Sequence, residues 1–174
     1  FDETTLRQPG IMGSAIIGDQ TTLLVDIYDV MKTLYPHWFA ERDAVVAAGN
    51  GNHTILYAED SNFFRDQVKG FMESEGYGVI EAENGRLAWE LLQEHAEKIS
   101  LVVTDLEMPE MDGYGLAENI KKDERFAHLP IIALTTLAGE EDMARGKLVG
   151  MTDYQIKLDR EKLMSSIFSH LKAA

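Results

Sequence analysis

Residues 101–113, Leu-Val-Val-Thr-Asp-Leu-Glu-Met-Pro-Glu-Met-Asp-Gly, constrain this chain more than any other stretch. The opening run is short, apolar and β-branched, the mark of a strand buried on both faces. Pro109 and Gly113 then punctuate a loop. A strand of this kind carries one carboxylate, Asp105, to the carboxyl end of a parallel sheet, where open α/β folds place their ligands.

The surrounding chain predicts that sheet. Strand-like runs at 54–58, 78–82, 101–104, 131–134 and 153–156 alternate with amphipathic stretches. Phe64, Val68, Phe71 and Met72 fall at helical spacing with one buried stripe. Leu87, Ala88, Leu91 and Leu92 repeat the pattern, as do Leu163, Met164, Ile167, Phe168 and Leu171. Weaker helical signals cover 114–122 and 140–149. Five βα units in series imply a doubly wound, five-stranded parallel sheet with right-handed crossovers.

Residues 1–50 break this rhythm. A hairpin is expected from strands at 15–17 and 22–26, turning at Gly18-Asp19-Gln20, followed by a helix over 26–39 interrupted at Pro36. A helical linker is expected at 41–48. Residues 49–52, Gly-Asn-Gly-Asn, mark the domain boundary, dividing the chain into 1–50 and 51–174. Two strands and a helix make too small a core to stand alone, so this remnant reads as the tail of a preceding domain. A start at Phe1 fits a fragment of a longer protein.

Charge narrows the function. The 174 residues hold 30 acids against 16 lysines and arginines, a net charge of −14. No cationic field exists to draw phosphodiester backbones or anionic lipid. The absence of cysteine removes disulfides, metal thiolates and thiol nucleophiles. No apolar stretch approaches the roughly 20 residues that span a bilayer, and no signal peptide is visible. A cytosolic location is the expectation. His37 and His53, near the boundary, read as ordinary surface groups.

Three acids converge in this reading. The first strand of the sheet runs into Glu59 and Asp60, and the third ends at Asp105; in a doubly wound sheet those strands are neighbours at the topological switch point. Like charges gathered there need a compensating cation or proton, and a hard divalent ion with oxygen ligands, Mg²⁺, suits them best. The fourth and fifth strands lead to Thr135 and Lys157. A carboxylate, a metal, a hydroxyl and an ammonium make a receptor for a phosphoryl group on Asp105.

On these residues, 53–172 resemble a response-regulator receiver domain of the CheY-like superfamily, with its flavodoxin-like strand order. The resemblance implies that Asp105 accepts phosphate. It implies that Glu59 and Asp60 hold Mg²⁺ with help from the backbone carbonyl of Glu107, and that Thr135 and Lys157 contact the phosphoryl group. Tyr154 is then the aromatic whose rotamer reports the state, and the donor is a phosphohistidine on a histidine kinase.

The chain departs from the family pattern in places. Leu158 stands where the family carries a cis proline; a trans bond and a re-routed loop are expected, because a cis non-proline bond costs roughly 3–4 kcal/mol. Thr136 replaces a small residue and is expected to narrow donor access. By the resemblance, Glu107 and Leu137 flank the site at positions that tune water attack.

Residues 9–27 resemble the end of a CheW-like regulatory domain. Joined to a receiver, that order matches a CheA-type hybrid kinase or a CheV-like coupling protein. Output through protein contact or competition for phosphate is expected, with chemotaxis coupling proteins or receptors as further partners. Two other classes compete. A flavin carrier would need a hydroxyl- and amide-rich phosphate loop where Glu59 and Asp60 stand. An aspartyl-phosphate phosphatase could use Glu107 as its second acid, but no cap domain is evident.

Overall fold

The computed structural model describes residues 11–17, 20–25, 27–35, 53–136 and 139–172. They fall into two compact units, Phe1–Val46 and Ala47–Ala174.

In the first unit, β1 (Ile11–Ile17) pairs antiparallel with β2 (Gln20–Val25). The expected hairpin is present with longer strands. Gln20 does not belong to the turn: it pairs with Ile17 at the end of the ladder. Helix α1 (Ile27–Leu34) is shorter than expected. It stops one residue before Tyr35, whose N–H still reaches the Met31 carbonyl at 2.8 Å, because a residue preceding proline is disfavoured in helical backbone. The expected linker at 41–48, the boundary at 49–52 and His37 lie outside the described residues.

The second unit holds β3 (Thr54–Ala58), β4 (Gly78–Ala82), β5 (Ile99–Asp105), β6 (Ile131–Thr135) and β7 (Asp153–Ile156). They form one parallel sheet in the order β4-β3-β5-β6-β7. The helices are α2 (Asn62–Ser74), α3 (Gly85–Glu94), α4 (Gly113–Lys122), α5 (Glu140–Leu148) and α6 (Arg160–Lys172). This is the doubly wound, flavodoxin-like arrangement expected. Strands β5 and β6 run one residue past their predicted ends and so include Asp105 and Thr135.

Strand alternation builds a core on each face. Ile55, Tyr57, Leu101, Val103, Ile132 and Leu134 turn to one side, where Val68 and Met72 of α2 and Leu163, Met164 and Ile167 of α6 cover them. Leu56, Ala58, Val102, Ile131 and Ala133 turn to the other, against Ala88 and Leu92 of α3 and Leu116, Ala117 and Ile120 of α4. Phe168, expected in the buried stripe of α6, is instead exposed; Leu163, Met164 and Ile167 already fill the face toward the sheet. His53 is also not a plain surface group. It is half-buried, with its Nδ1 3.2 Å from the Ser100 hydroxyl.

Helix starts are set by side chains that satisfy free N–H groups. The Asn84 carboxamide accepts from Leu87 N–H at 2.9 Å at the start of α3, and the Asp112 carboxylate accepts from Gly115 N–H at 2.7 Å at the start of α4. Gly113 lets the loop after β5 fold back on its own strand. A Cβ there would lie 2.1 Å from the Asp105 carbonyl oxygen.

Candidate functional site

The carboxyl edge of the sheet opens into a cavity of about 920 Å³ lined by Glu59, Asp60, Asp105, Glu107, Thr135 and Lys157, among others. All the residues expected at the site except Tyr154 therefore meet there. Glu59 follows β3 and is fully buried, whereas its neighbour Asp60 is exposed. Asp105 and Thr135, at the ends of β5 and β6, are buried.

Lys157 follows β7 and bridges the acids. Its Nζ lies 2.9 Å from Glu59 Oε2 and 2.9 Å from Asp105 Oδ2, and 4.8 Å from the centre of the Phe64 ring. Its backbone N–H donates to the Thr135 carbonyl at 2.8 Å, which fixes the root of the side chain. The acids have further donors: Leu106 N–H reaches Asp105 Oδ1 at 2.7 Å, and Ser61 N–H reaches Glu59 Oε1 at 3.3 Å.

Burial pushes the Glu59 carboxyl above the ordinary glutamate range; the hydrogen bond from Lys157 opposes this and the nearby Asp105 charge adds to it. Burial disfavours the Lys157 charge, but the hydrogen bonds and charges of Glu59 and Asp105 outweigh it and raise the ammonium pKa. The site thus holds its lysine charged.

One carboxylate oxygen from each of Glu59, Asp60 and Asp105 lies within 4.8 Å of the others. Clustered hard oxygen donors, with Asp60 open to water, match the needs of a small divalent cation that keeps several waters. The donor set fits Mg²⁺.

Behind this wall stands Arg65, which sequence reasoning missed. Its Nη1 donates to the Glu59 carbonyl at 2.7 Å and pins the turn carrying both acids. An arginine in a helix beside acids reads, in sequence, as one more surface charge.

The opposite wall was also missed. Tyr114 of α4 is buried, and its hydroxyl donates to Asp142 Oδ1 at 3.3 Å. Tyr154 donates to the Asp142 backbone carbonyl at 3.2 Å. Two tyrosines from different elements thus meet at the first turn of α5. Tyr154 turns inward beside α5 and does not line the cavity. Its position depends on Gly146, where a Cβ would sit 1.1 Å from the tyrosine oxygen. Arg145 stacks on the Tyr114 ring at 3.8 Å. Burial raises the Tyr114 phenol to about 12, with help from the Asp142 charge.

Among the departures, Thr136 lines the cavity and is exposed, and Leu137 lies outside the described residues. The bond before Leu158 is trans, as expected. Leu158 itself takes φ 74°, a left-handed conformation that bulky residues seldom adopt.

Comparison with known proteins agrees with this site. Residues 55–168 match the response regulator receiver domain. The chain is 26% identical to chemotaxis protein CheV3 of Helicobacter pylori over 172 residues, covering 94% of this chain and 55% of that protein. It is 30% identical to sensor histidine kinase CheAY of the same organism over 156 residues, covering 85% of this chain and 19% of that protein. The chain therefore spans about half the length of one relative and under a fifth of the other. Both matches reach back before the sheet unit. A solved CheX–CheY–BeF3–Mg²⁺ complex from Borrelia burgdorferi superposes with TM-score 0.63 at 28% identity, covering 67% of this chain and 87% of that one. With its five-stranded sheet, its acids and lysine at the carboxyl edge, and a family match over most of its length, the chain belongs to the response regulator receiver domains of chemotaxis-type two-component signalling.

Proposed function

We propose that Asp105 is the phosphoacceptor of a signalling switch and receives its phosphoryl group from a phosphohistidine of a histidine kinase. The observation that carries this reading is the buried Glu59–Lys157–Asp105 bridge beside the open carboxylate of Asp60. An Asp105 oxygen forms the new bond to phosphorus as the phosphorus–nitrogen bond breaks. The electron pair returns to the imidazole, which takes a proton from water. Lys157 is then the ammonium for a phosphoryl oxygen, and the Thr135 hydroxyl donates to another.

Glu59, Asp60 and Asp105, with the Glu107 backbone carbonyl, are the proposed Mg²⁺ ligands. When bound, the ion supplies positive charge against the oxygens of the transferred group. The CheX–CheY complex from Borrelia burgdorferi, which contains Mg²⁺ and BeF3, supports this choice of cation. Tyr154 is the proposed reporter of the phosphorylated state, since it meets the start of α5.

In this reading residues 1–50 are the tail of a CheW-like domain with a helical linker, and residues 51–174 are the receiver. The parent is a cytoplasmic CheA-type hybrid kinase, with chemotaxis coupling proteins or receptors as further partners. A CheV-like parent is the second reading, favoured by the 94% of this chain that CheV3 covers. The coding sequence upstream of Phe1 separates the two, since only the kinase needs an ATP-binding domain there. No described helix is long and apolar enough to cross a membrane.

The function is tested with acetyl phosphate and Mg²⁺. One hydroxylamine-labile phosphate per chain is expected, and none in Asp105→Asn. Equal labelling of that variant would move the acceptor elsewhere.

A further inference from the structure

Among its described lining residues the cavity has two cations, and the buried bridge uses only one. Lys157 is shared between two carboxylates. Arg145, in the second turn of α5, has a side chain 60% exposed, and its ion pair with Asp112 is long at 3.4 Å. The guanidinium rests on the ring of Tyr114, which is buried and tied to Asp142. A planar group stacked on a fixed ring is already oriented and loses little freedom on gaining a bidentate partner. Every other charged residue in the described lining is an acid: Glu59, Asp60, Asp105, Glu107, Asp112 and Asp142. Lys157 is buried between Glu59 and Asp105, so before it reaches that bridge or the proposed Mg²⁺ an anionic phosphodonor meets the one exposed cation of the described lining at this lip.

We infer that Arg145 captures the anionic phosphodonor at the cavity mouth before its phosphoryl group passes to Asp105. The inference rests on the phosphoacceptor reading above. An exposed pair such as Arg145–Asp112 contributes little, whereas a guanidinium binds two phosphate oxygens at once, so a donor displaces Asp112 readily. Tyr114 is a positioning residue that holds the guanidinium toward the cavity. With acetyl phosphate, an Asp105 oxygen bonds to phosphorus as the bond to the acetyl oxygen breaks. Acetate leaves with the electron pair, and Arg145 makes no covalent bond.

The test follows phosphate uptake from acetyl phosphate with Mg²⁺ by intact-protein mass spectrometry, across donor and NaCl concentrations. R145A is expected to lower the second-order rate constant about tenfold and to flatten its salt dependence; R145K recovers part of both. Y114L lowers the rate in the same direction and adds nothing in the R145A background. R125A is the control: Arg125 also stacks on a ring, that of Phe126, and pairs with an acid, Asp123, but lines a different groove. It is expected to leave the rate unchanged. Equal rates and salt slopes for R145A and R125A would overturn the inference, and a further drop from Y114L on R145A would remove Tyr114 from it. A wild-type chain that takes up no phosphate would instead bring down the phosphoacceptor reading, and this inference with it.

Discussion

On the β3 side of the cavity, Glu59, Lys157 and Asp105 lie within hydrogen-bond distance and almost out of water. On the α4–α5 side, two phenols meet Asp142 at 3.2–3.3 Å, and an exposed arginine lies on one of the rings. The first wall is rigid because one buried ammonium holds both acids, and removing it leaves two buried carboxylates unpaired. The second is softer: its arginine is exposed, its two hydrogen bonds are long, and the one from Tyr154 to a backbone carbonyl is neutral and contributes only about 1 kcal/mol. In the proposed switch the first wall is the fixed place for the chemistry and the second is the neighbouring element that moves at small cost.

The contrast can be broken most sharply at Lys157. Lys157→Met leaves Glu59 and Asp105 facing one another and should cost about 3 kcal/mol in metal-free urea unfolding. Mg²⁺ should recover much of that loss; an equal loss with and without it would separate the lysine from the cation site.

Gly146→Ala probes the soft wall. Its methyl group would meet the Tyr154 hydroxyl, so the ring must swing out, at about 2 kcal/mol. Burial raises the Tyr154 pKa, with help from Asp142. Alkaline absorbance titration should show one phenol returning toward its ordinary value. An unshifted titration would mean that α5 moves in place of the ring.

Smaller still, Leu158→Gly relieves a left-handed residue beside the rigid wall. Leu158 is exposed, so little packing is lost, and a gain of about 1 kcal/mol is expected. Thermal unfolding that shows a loss would mean that the leucine side chain does more for the loop than its conformation costs.

The weakest effect concerns Asp153 in β7. Burial opposes its charge, but hydrogen bonds from Ser166, Gln155 and the Tyr154 N–H outweigh that and hold its carboxyl below the ordinary aspartate value. A depressed acid contributes stability above its unfolded-state pKa and loses it as pH falls through the folded one. Asp153→Asn should therefore flatten the stability loss in the acid range below about pH 4. Unchanged slopes would remove Asp153 from the acid response.

Much of the rigid wall was legible in sequence. Apolar runs ending in Asp105 and in Glu59-Asp60 imply strands, and a parallel sheet brings strand ends to one edge. Thr135 and Lys157 followed by the same rule. The soft wall was not legible. Tyr114, Asp142 and Arg145 sit in helices, at positions where sequence shows only an aromatic and two ordinary charges. Tyr114 and Asp142 are 28 residues apart, and the crossovers that bring α4 and α5 together set their contact. Phe168 went astray for a related reason: helical periodicity marks a stripe, but only packing decides how wide a stripe the sheet can cover.

The sequence by itself determined the strand count, the parallel sheet and the edge at which the acids collect, because side-chain alternation and chain direction are local properties. Tertiary structure decided which charges pair, which tyrosine turns inward and where Arg145 lies. Those outcomes depend on the angles and spacing of helices packed from distant parts of the chain, and no short stretch of residues encodes them.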